Sequence, residues 1–255
     1  MLRVDTMCGI YFSCSRHHYV SPTTEETEYL KRRGPDSYNI LPIKHDDYTN
    51  RETEQPDVPR DPYYMNFASS VLSLRGHQVI KQPLYDTTDS FILCWNGEAW
   101  KLHGDTVHGT DSSAIFDALC AASVVQTVDR ADDSEGTLLA QIRVLSSCFG
   151  PYAFIFYDPR NCRVIFGRDV LGRRSLLLRQ TFEQFCLSSV CHGSDSGNWK
   201  EVDANGVYIL DLQSGRESGL TLHHVPWIST EESVLSGQQS VQKSLTERKY
   251  VADTL

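Results

Sequence analysis

Two amphipathic helical segments lie in the middle of this chain, with strand-like apolar segments on both sides of them. Asp111 resembles an N-cap, and Ile115, Phe116 and Leu119 follow it at helical spacing, while residues 138–145 repeat the pattern. Predicted strands cover residues 9–14, 67–74, 91–95, 152–157 and 164–166, with others near 175–179, 185–189 and 207–211. This order predicts sheets packed together with helices on their faces.

Shorter signals mark the first helix and the irregular segments. Residues 23–26 read Thr-Thr-Glu-Glu, a capping box that opens a helix, and this helix is expected to run to about Arg33 and stop at Gly34-Pro35. Residues 44–62 are polar and contain three prolines, so they predict a loop or an insertion. Residues 126–136 predict an acidic linker.

The composition excludes several classes of function. With 255 residues, 40% of them hydrophobic, the chain can build a sizeable core. A net charge of −9 does not favour binding to nucleic acid or to anionic membranes, because both are negatively charged. No apolar run is long enough to span a bilayer. Eight cysteines occur without a Cys-x-x-Cys pair or a histidine at zinc spacing, so no metal site is predicted. We expect a soluble, cytoplasmic protein with free thiols.

A cysteine close to the start of the chain carries the main chemical hypothesis. In Met7-Cys8-Gly9-Ile10, removal of Met7 would leave a thiol and a free α-amine on one residue. Such a pair can perform acyl transfer without another base, as in N-terminal threonine hydrolases. The alternative is that Cys8 is an ordinary core cysteine at the start of a strand.

Six local motifs follow one another in an order that resembles a known family. They are Cys8-Gly9-Ile10, Arg33-Gly34-Pro35-Asp36, Arg75 with Gln82-Pro83-Leu84, Asn96-Gly97-Glu98, Gly109-Thr110-Asp111, and Phe166-Gly167-Arg168-Asp169 with Leu171-Gly172. Together they resemble the class II glutamine amidotransferase domain of asparagine synthetases. Residues 172–176 and 185–190 are most similar to asparagine synthetase domain-containing proteins. The resemblance implies the α+β fold of N-terminal-nucleophile hydrolases, a four-layer αββα sandwich with two stacked antiparallel sheets.

The resemblance also implies catalytic roles. Cys8 would attack the glutamine carboxamide, with its own α-amine as base, to form a γ-glutamyl thioester and release ammonia. The Asn96 side-chain amide and the Gly97 backbone N–H would form the oxyanion hole. The alternative for Asn96-Gly97 is a tight hairpin turn after the apolar strand, because Asn-Gly is a strong hairpin signal. No cofactor is expected.

Three further residues are expected to bind L-glutamine. The resemblance implies that Arg75 grips the α-carboxylate, that Asp111 takes the α-ammonium and that Glu98 lines the pocket. Their alternatives are a surface arginine at a strand end, a helix N-cap and an exposed turn glutamate, respectively. Gly76 departs from the family pattern, so the resemblance does not define the shape of the pocket at this position.

The expected organisation is a leader at residues 1–7, the amidotransferase domain at 8–227 and a polar tail at 228–255 that resembles the linker to an absent synthetase domain. The pyrophosphate loop of that domain, Ser-Gly-Gly-x-Asp-Ser, does not occur in the sequence. This argues against a complete asparagine synthase and favours a truncated product, an incomplete gene model or a free-standing domain. Ammonia would then pass to a partner synthetase domain or subunit, or be released.

Two hypotheses about function therefore remain. The first is hydrolysis of glutamine to glutamate and ammonia, which requires Cys8 to become the first residue. The second is a non-catalytic pseudo-amidotransferase that acts as a binding or scaffold module, which follows if the leader is retained.

Overall fold

The computed structural model describes residues 7–45, 62–75, 78–124, 134–193, 198–213 and 220–228. Its three helices are α1 (Thr24–Arg33), α2 (Asp111–Ser123) and α3 (Ser134–Ser146). The strands are β1 (Gly9–Ser15), β2 (Ser37–His45), β3 (Tyr63–Val71), β4 (Leu84–Tyr85), β5 (Ile92–Gly97), β6 (Lys101–Leu102), β7 (Asp105–Thr106), β8 (Tyr152–Asp158), β9 (Arg163–Arg168), β10 (Leu177–Gln180), β11 (Gln184–Ser188), β12 (Lys200–Glu201), β13 (Gly206–Asp211) and β14 (Thr221–Pro226).

Two six-stranded sheets dominate the described residues. The first has the strand order β12-β10-β11-β1-β3-β2, and the second has the order β14-β13-β9-β8-β5-β4. Neighbouring strands are antiparallel in both sheets. A separate two-stranded ribbon joins β6 and β7. β1 and β5 both lie inside their sheets rather than at an edge, so the residues just before β1 and at the end of β5 belong to interior strands.

Side chains alternate along the strands between two apolar layers. In β5, Ile92 and Cys94 belong to the core between the two sheets, whereas Leu93 and Trp95 belong to the core beneath α2 and α3. Such a strand is buried on both faces, which explains its continuous apolar run. The inter-sheet core also takes Phe12 from β1.

The helices cover the outer faces of the sheets. Leu30 of α1 packs on Tyr11 and Ala68 of the first sheet, and Ile115 of α2 and Ile142 of α3 pack on the second sheet. The layer order is therefore helix, sheet, sheet, helix. The α+β sandwich of two stacked antiparallel sheets, expected from the sequence, is confirmed.

The first helix begins and ends as the sequence predicts. Thr23 is the N-cap: its Oγ1 accepts from Glu26 N at 3.1 Å, and Glu26 Oε2 accepts from Thr23 N at 2.8 Å. Helix α1 ends at Arg33, and Gly34 follows it. A Cβ on Gly34 would lie 2.4 Å from the backbone of Val71, so the close approach of α1 to β3 requires glycine there.

Several predicted boundaries were wrong. The strand expected at 67–74 runs from Tyr63 to Val71. The loop expected at 44–62 begins too early, because β2 continues to His45. Its residues 46–61 lie outside the described residues. Strand β2 was not predicted, because it is an edge strand with partly exposed side chains and contains a proline, Pro42. In the linker expected at 126–136, α3 begins at Ser134 and the rest lies outside the described residues.

The hairpin alternative for Asn96-Gly97 was also wrong. Strand β5 continues through both residues, with Asn96 opposite Ala153 and Gly97 opposite Tyr152 of β8. Pairing with a distant strand overrides the local turn preference of the dipeptide.

No helix in the described part of the chain is long and apolar enough to cross a membrane.

Candidate active site

Cys8 lies directly before β1, at the end of the two stacked sheets. Its Sγ accepts from Leu72 N at 3.4 Å and donates to Leu72 O at 3.7 Å, so the segment after β3 holds the thiol. Arg33 Nε donates to the Cys8 carbonyl at 3.3 Å from the end of α1. The backbone around the thiol is thus fixed from two neighbouring elements.

The environment of Cys8 keeps its thiol protonated at neutral pH. Burial raises the pKa of the Cys8 thiol, and Asp111 raises it further, whereas the Leu72 backbone hydrogen bond and the guanidinium groups of Arg33 and Arg174 lower it. The net direction is upward. Because a thiolate is the attacking species, such a cysteine needs a base to remove its proton.

Asn96 is a buried amide with no partner among the described residues. It is 1% exposed, and neither its Oδ1 nor its Nδ2 hydrogen-bonds to any of those residues. Alternation along β5 turns its side chain to the same face as Ile92 and Cys94, toward the first sheet and β1. A buried amide without partners is costly unless a ligand or water satisfies it, which makes its position a functional clue.

Gly97 allows a close approach of the chain at the end of β5. A Cβ on this residue would lie 2.6 Å from Tyr152 Cβ and 2.7 Å from Pro151 O. Both atoms belong to or flank the paired strand β8, so neither can move aside cheaply. The site therefore requires glycine for steric reasons.

The backbone N–H of Gly97 points away from β8. Glu98 N donates to Pro151 O at 2.9 Å on the β8 side, whereas Trp95 N donates to Gln82 Oε1 at 2.7 Å on the opposite side. N–H groups alternate between the two neighbours along a strand, so Gly97 N–H points to the Gln82 side. Both Gly97 and Gln82 line one cavity, and the N–H therefore faces it.

All six site residues expected from the sequence line that cavity. It has a volume of about 610 Å³ including its open mouth, and Met7 and Arg174 line it as well. The six are Cys8, Arg75, Asn96, Gly97, Glu98 and Asp111. The structure thus brings together residues from β5, the segment after β3, the start of α2 and the start of β1.

Asp111 is the first residue of α2, and the expectation that it is the N-cap was wrong by one position. The N-cap is Thr110. Asp111 Oδ2 instead accepts from Trp95 Nε1 at 3.0 Å and from Ala99 N at 2.8 Å. This fixes the carboxylate at the wall of the cavity and leaves Oδ1 with no hydrogen bond to the described residues.

Glu98 lies between two guanidinium groups. Its Oε2 is 3.8 Å from Arg75 Nη2, and its Oε1 is 3.7 Å from Arg174 Nη2. Arg75 Nη1 also donates to Ala99 O at 3.4 Å. Glu98 and Arg75 are therefore neither an exposed turn glutamate nor a free surface arginine: both belong to the wall of the cavity.

One part of the site was not assigned from the sequence. Arg174 occurs in the quoted motif at 172–176 but received no role, and the second cation beside Glu98 was missed. Arg33 and Asp36 flank the Gly34-Pro35 turn of the second quoted motif. Asp36 Oδ2 accepts from Ser73 N at 2.7 Å, which ties the turn after α1 to the segment that contacts Cys8.

The described residues contain no group of three or more His, Cys, Asp or Glu side chains placed to hold a metal ion. Gly76, the departure from the family pattern, lies outside the described residues.

Comparisons with known proteins agree with this architecture. The human asparagine synthetase domain-containing protein 1 is 31% identical over 247 residues, which cover 93% of this chain and 34% of the human protein. The chicken protein of the same name is 35% identical over 232 residues, covering 87% of this chain and 32% of that protein. Over most of its length this chain is therefore homologous to part of the asparagine synthetase domain-containing proteins. It spans about a third of the length of these relatives. No protein-family model matches it.

A solved structure supports the fold. The structure described as the allosteric regulatory enzyme of purine biosynthesis aligns with a TM-score of 0.53 at 16% identity, over 85% of this chain and 49% of that chain. This chain thus shares with that enzyme the α+β sandwich of two stacked antiparallel sheets.

Proposed function

We propose that this protein hydrolyses L-glutamine to glutamate and ammonia through a thioester on Cys8. The observation that carries the proposal is the Asn96 side chain, a buried amide with both polar atoms unsatisfied among the described residues, in the cavity that Cys8 also lines. A donor that is held in place before the substrate arrives suits an oxyanion, because no reorganisation is needed during the reaction. Gly97 N–H supplies a second donor on the same strand.

The reaction follows from the chemistry of an N-terminal cysteine. The free α-amine of Cys8 takes the proton from Sγ, and Sγ then attacks the carboxamide carbon. Asn96 Nδ2 and Gly97 N–H stabilise the resulting oxyanion, and the carbon–nitrogen bond breaks as the α-ammonium returns the proton to the leaving ammonia. Water, activated by the same amine, adds to the thioester and releases glutamate. The raised pKa of the Cys8 thiol is the reason that this proton transfer is required.

The charged walls of the cavity suit a free amino acid. Arg75 binds the α-carboxylate, and the open Oδ1 of Asp111 together with Glu98 binds the α-ammonium. Two cations, Arg75 and Arg174, and two carboxylates line the cavity, so its charge is balanced for a zwitterion.

In this proposal residues 8–227 are the amidotransferase domain of an asparagine-synthetase-like protein, residues 1–7 are a leader and residues 228–255 form a linker. The names of the relatives and the share of their length that this chain covers support that assignment. The ammonia would be used by a synthetase domain or subunit, and asparagine synthesis is the expected use.

A specific contact favours a second candidate, a non-catalytic binding module. Met7 lines the cavity, and the Arg174 guanidinium contacts its sulfur. With Met7 in place, the nitrogen of Cys8 is an amide without a basic lone pair. The pocket walls would persist in that form, and glutamine binding without turnover is expected.

Replacement of Cys8 separates the two candidates. In the protein that begins at Cys8, Cys8→Ala should abolish glutamate release from glutamine, measured by a coupled glutamate assay. Cys120→Ala, at a half-buried cysteine of α2 that does not line the cavity, is the matched control and should retain the rate. Equal activity in wild type and Cys8→Ala would reject the proposed function.

A further inference from the structure

Arg174 lines the cavity, but the proposed reaction gives it no contact with the substrate. Its side chain is 18% exposed, about half as exposed as that of Arg75 at 33%. Its Nε is buried and has no acceptor among the described residues. Its nearest carboxylate atom, Glu98 Oε1, lies at 3.7 Å, beyond hydrogen-bond distance. A half-buried guanidinium at a cavity wall, with a buried Nε that has no acceptor among the described residues, requires a reason.

The backbone around Arg174 is fixed from several sides. Its carbonyl accepts from Arg168 Nε at 2.6 Å, and Arg168 Nη1 donates to Val202 O at 3.0 Å and pairs with Glu201 at 2.7 Å. On the other side, Ser175 Oγ donates to Ser189 O at 2.8 Å. The guanidinium is therefore presented to the cavity from a rigid segment rather than from a free loop.

Asp169 fixes Arg173, the residue just before Arg174. This carboxylate, 2% exposed, accepts from Arg173 N at 3.0 Å, from Arg173 Nε at 2.9 Å and from Tyr152 N at 3.1 Å. Tyr152 lies opposite Gly97 in the ladder between β5 and β8. The segment that carries Arg174 is thus tied to the strand pair that carries Asn96 and Gly97.

The position of Glu98 creates a conflict that Arg174 can resolve. Glu98 is about equally far from Arg75 and from Arg174, at 3.8 and 3.7 Å. Arg75 is also the proposed partner of the substrate carboxylate, so Glu98 competes with the substrate for it. If Arg75 were the only cation near Glu98, the two would pair and the carboxylate of glutamine would be repelled.

We propose that Arg174 is a positioning residue that holds the Glu98 carboxylate away from Arg75, so that Arg75 stays available for the substrate carboxylate and Glu98 for the substrate ammonium. This inference rests on the proposed function and adds a determinant of amino-acid binding to it. Arg174 acts through Glu98 rather than on the reacting atoms. Its removal should therefore weaken the binding of glutamine more than it slows the chemical step.

The test is a mutant cycle on glutamine hydrolysis by the protein that begins at Cys8. Arg174→Gln should raise KM for glutamine about fivefold while kcat changes by less than about twofold. Arg174→Lys keeps the charge and should recover part of the loss. In a Glu98→Gln background Arg174→Gln should raise KM no further, because no carboxylate is left to compete for Arg75. Arg160→Gln removes a partly exposed arginine paired with Asp89 and serves as the control for lost charge.

The outcomes are distinguishable. An unchanged KM in Arg174→Gln, or an equal rise of KM in the wild-type and Glu98→Gln backgrounds, would overturn the role of Arg174 while glutamine hydrolysis stands. Loss of kcat alone would assign Arg174 to the chemical step and would also overturn the proposal. Absence of turnover in the wild-type protein would reject the proposed function itself. Thermal unfolding of each variant identifies any that fails to fold.

Discussion

Replacement of Asn96 by alanine should separate stability from catalysis. Most buried polar side chains stabilise a fold through their hydrogen bonds, but Asn96 makes none to the described residues. Each buried polar group left without a partner costs about 1–3 kcal/mol. Asn96→Ala removes two such groups and loses a similar amount in packing. We therefore expect the free energy of unfolding to change by less than about 1 kcal/mol.

The rate should respond very differently. If Asn96 Nδ2 holds the oxyanion, its loss should lower kcat for glutamine hydrolysis by about 100- to 1,000-fold, as for other oxyanion-hole donors. KM should change little, because the hydrogen bond strengthens mainly as charge develops on the oxygen. The assay is steady-state glutamate release by the protein that begins at Cys8, with urea unfolding of the same preparation.

Gln141 provides a matched control, a buried amide that is fully bonded. Its Nε2 donates to Ser123 Oγ at 2.6 Å and to Asp158 Oδ2 at 2.8 Å, and its Oε1 accepts from Arg163 Nη2 at 2.8 Å. Gln141→Ala should lower the free energy of unfolding by about 2–4 kcal/mol and leave kcat of the folded fraction unchanged. If Asn96→Ala destabilises the protein as much as Gln141→Ala does and retains kcat, the assignment of the oxyanion hole is refuted.

Three further predictions each concern one residue. Gly97→Ala should destabilise the protein by about 1–3 kcal/mol in urea unfolding, because its Cβ would lie 2.6 Å from Tyr152 Cβ; wild-type stability would contradict the close approach. Asp111→Ala should raise KM for glutamine more than it lowers kcat, because it removes the carboxylate assigned to the ammonium; an unchanged KM would argue against that role. Burial raises the pKa of the Cys94 thiol to about 12, so folding favours its protonated form. The contribution of Cys94 to the free energy of unfolding should be complete below about pH 8.5. At pH 10, where the thiol of the unfolded chain ionises, this contribution should be smaller by on the order of 2 kcal/mol. Cys94→Ala should therefore reduce the fall in the free energy of unfolding between pH 7 and pH 10, measured by urea unfolding. An equal fall in the variant and in the wild type would contradict this prediction.

The elements with strong local signals could be predicted from the sequence. The capping box at Thr23, the hairpin of β8 and β9 and the two central helices depend on residues close together in the chain. Strand β2 could not be predicted, because an edge strand has neither a continuous apolar run nor a fully buried face. The local preference of Asn96-Gly97 for a turn was overridden by pairing with β8, which a short window cannot contain.

The site could be predicted in part. The ordered motifs named six of the residues that line the cavity, but their geometry depends on the stacking of two sheets. The unpartnered amide of Asn96 is visible only when the core around it is present. Arg174 has no separate signal in the sequence, because its significance lies in its distance from Glu98 and in the hydrogen bonds that fix its backbone.

The measurement that tests the central claim most directly compares two proteins that differ by one residue. Intact mass would identify a form that begins at Cys8 and a form that retains Met7, and glutamate release from glutamine would be measured for both. The account predicts turnover by the form that begins at Cys8 and a rate at least about 100-fold lower when Met7 blocks the amine, since the α-amine is the base. Equal rates in the two forms, or no turnover in either, would contradict it.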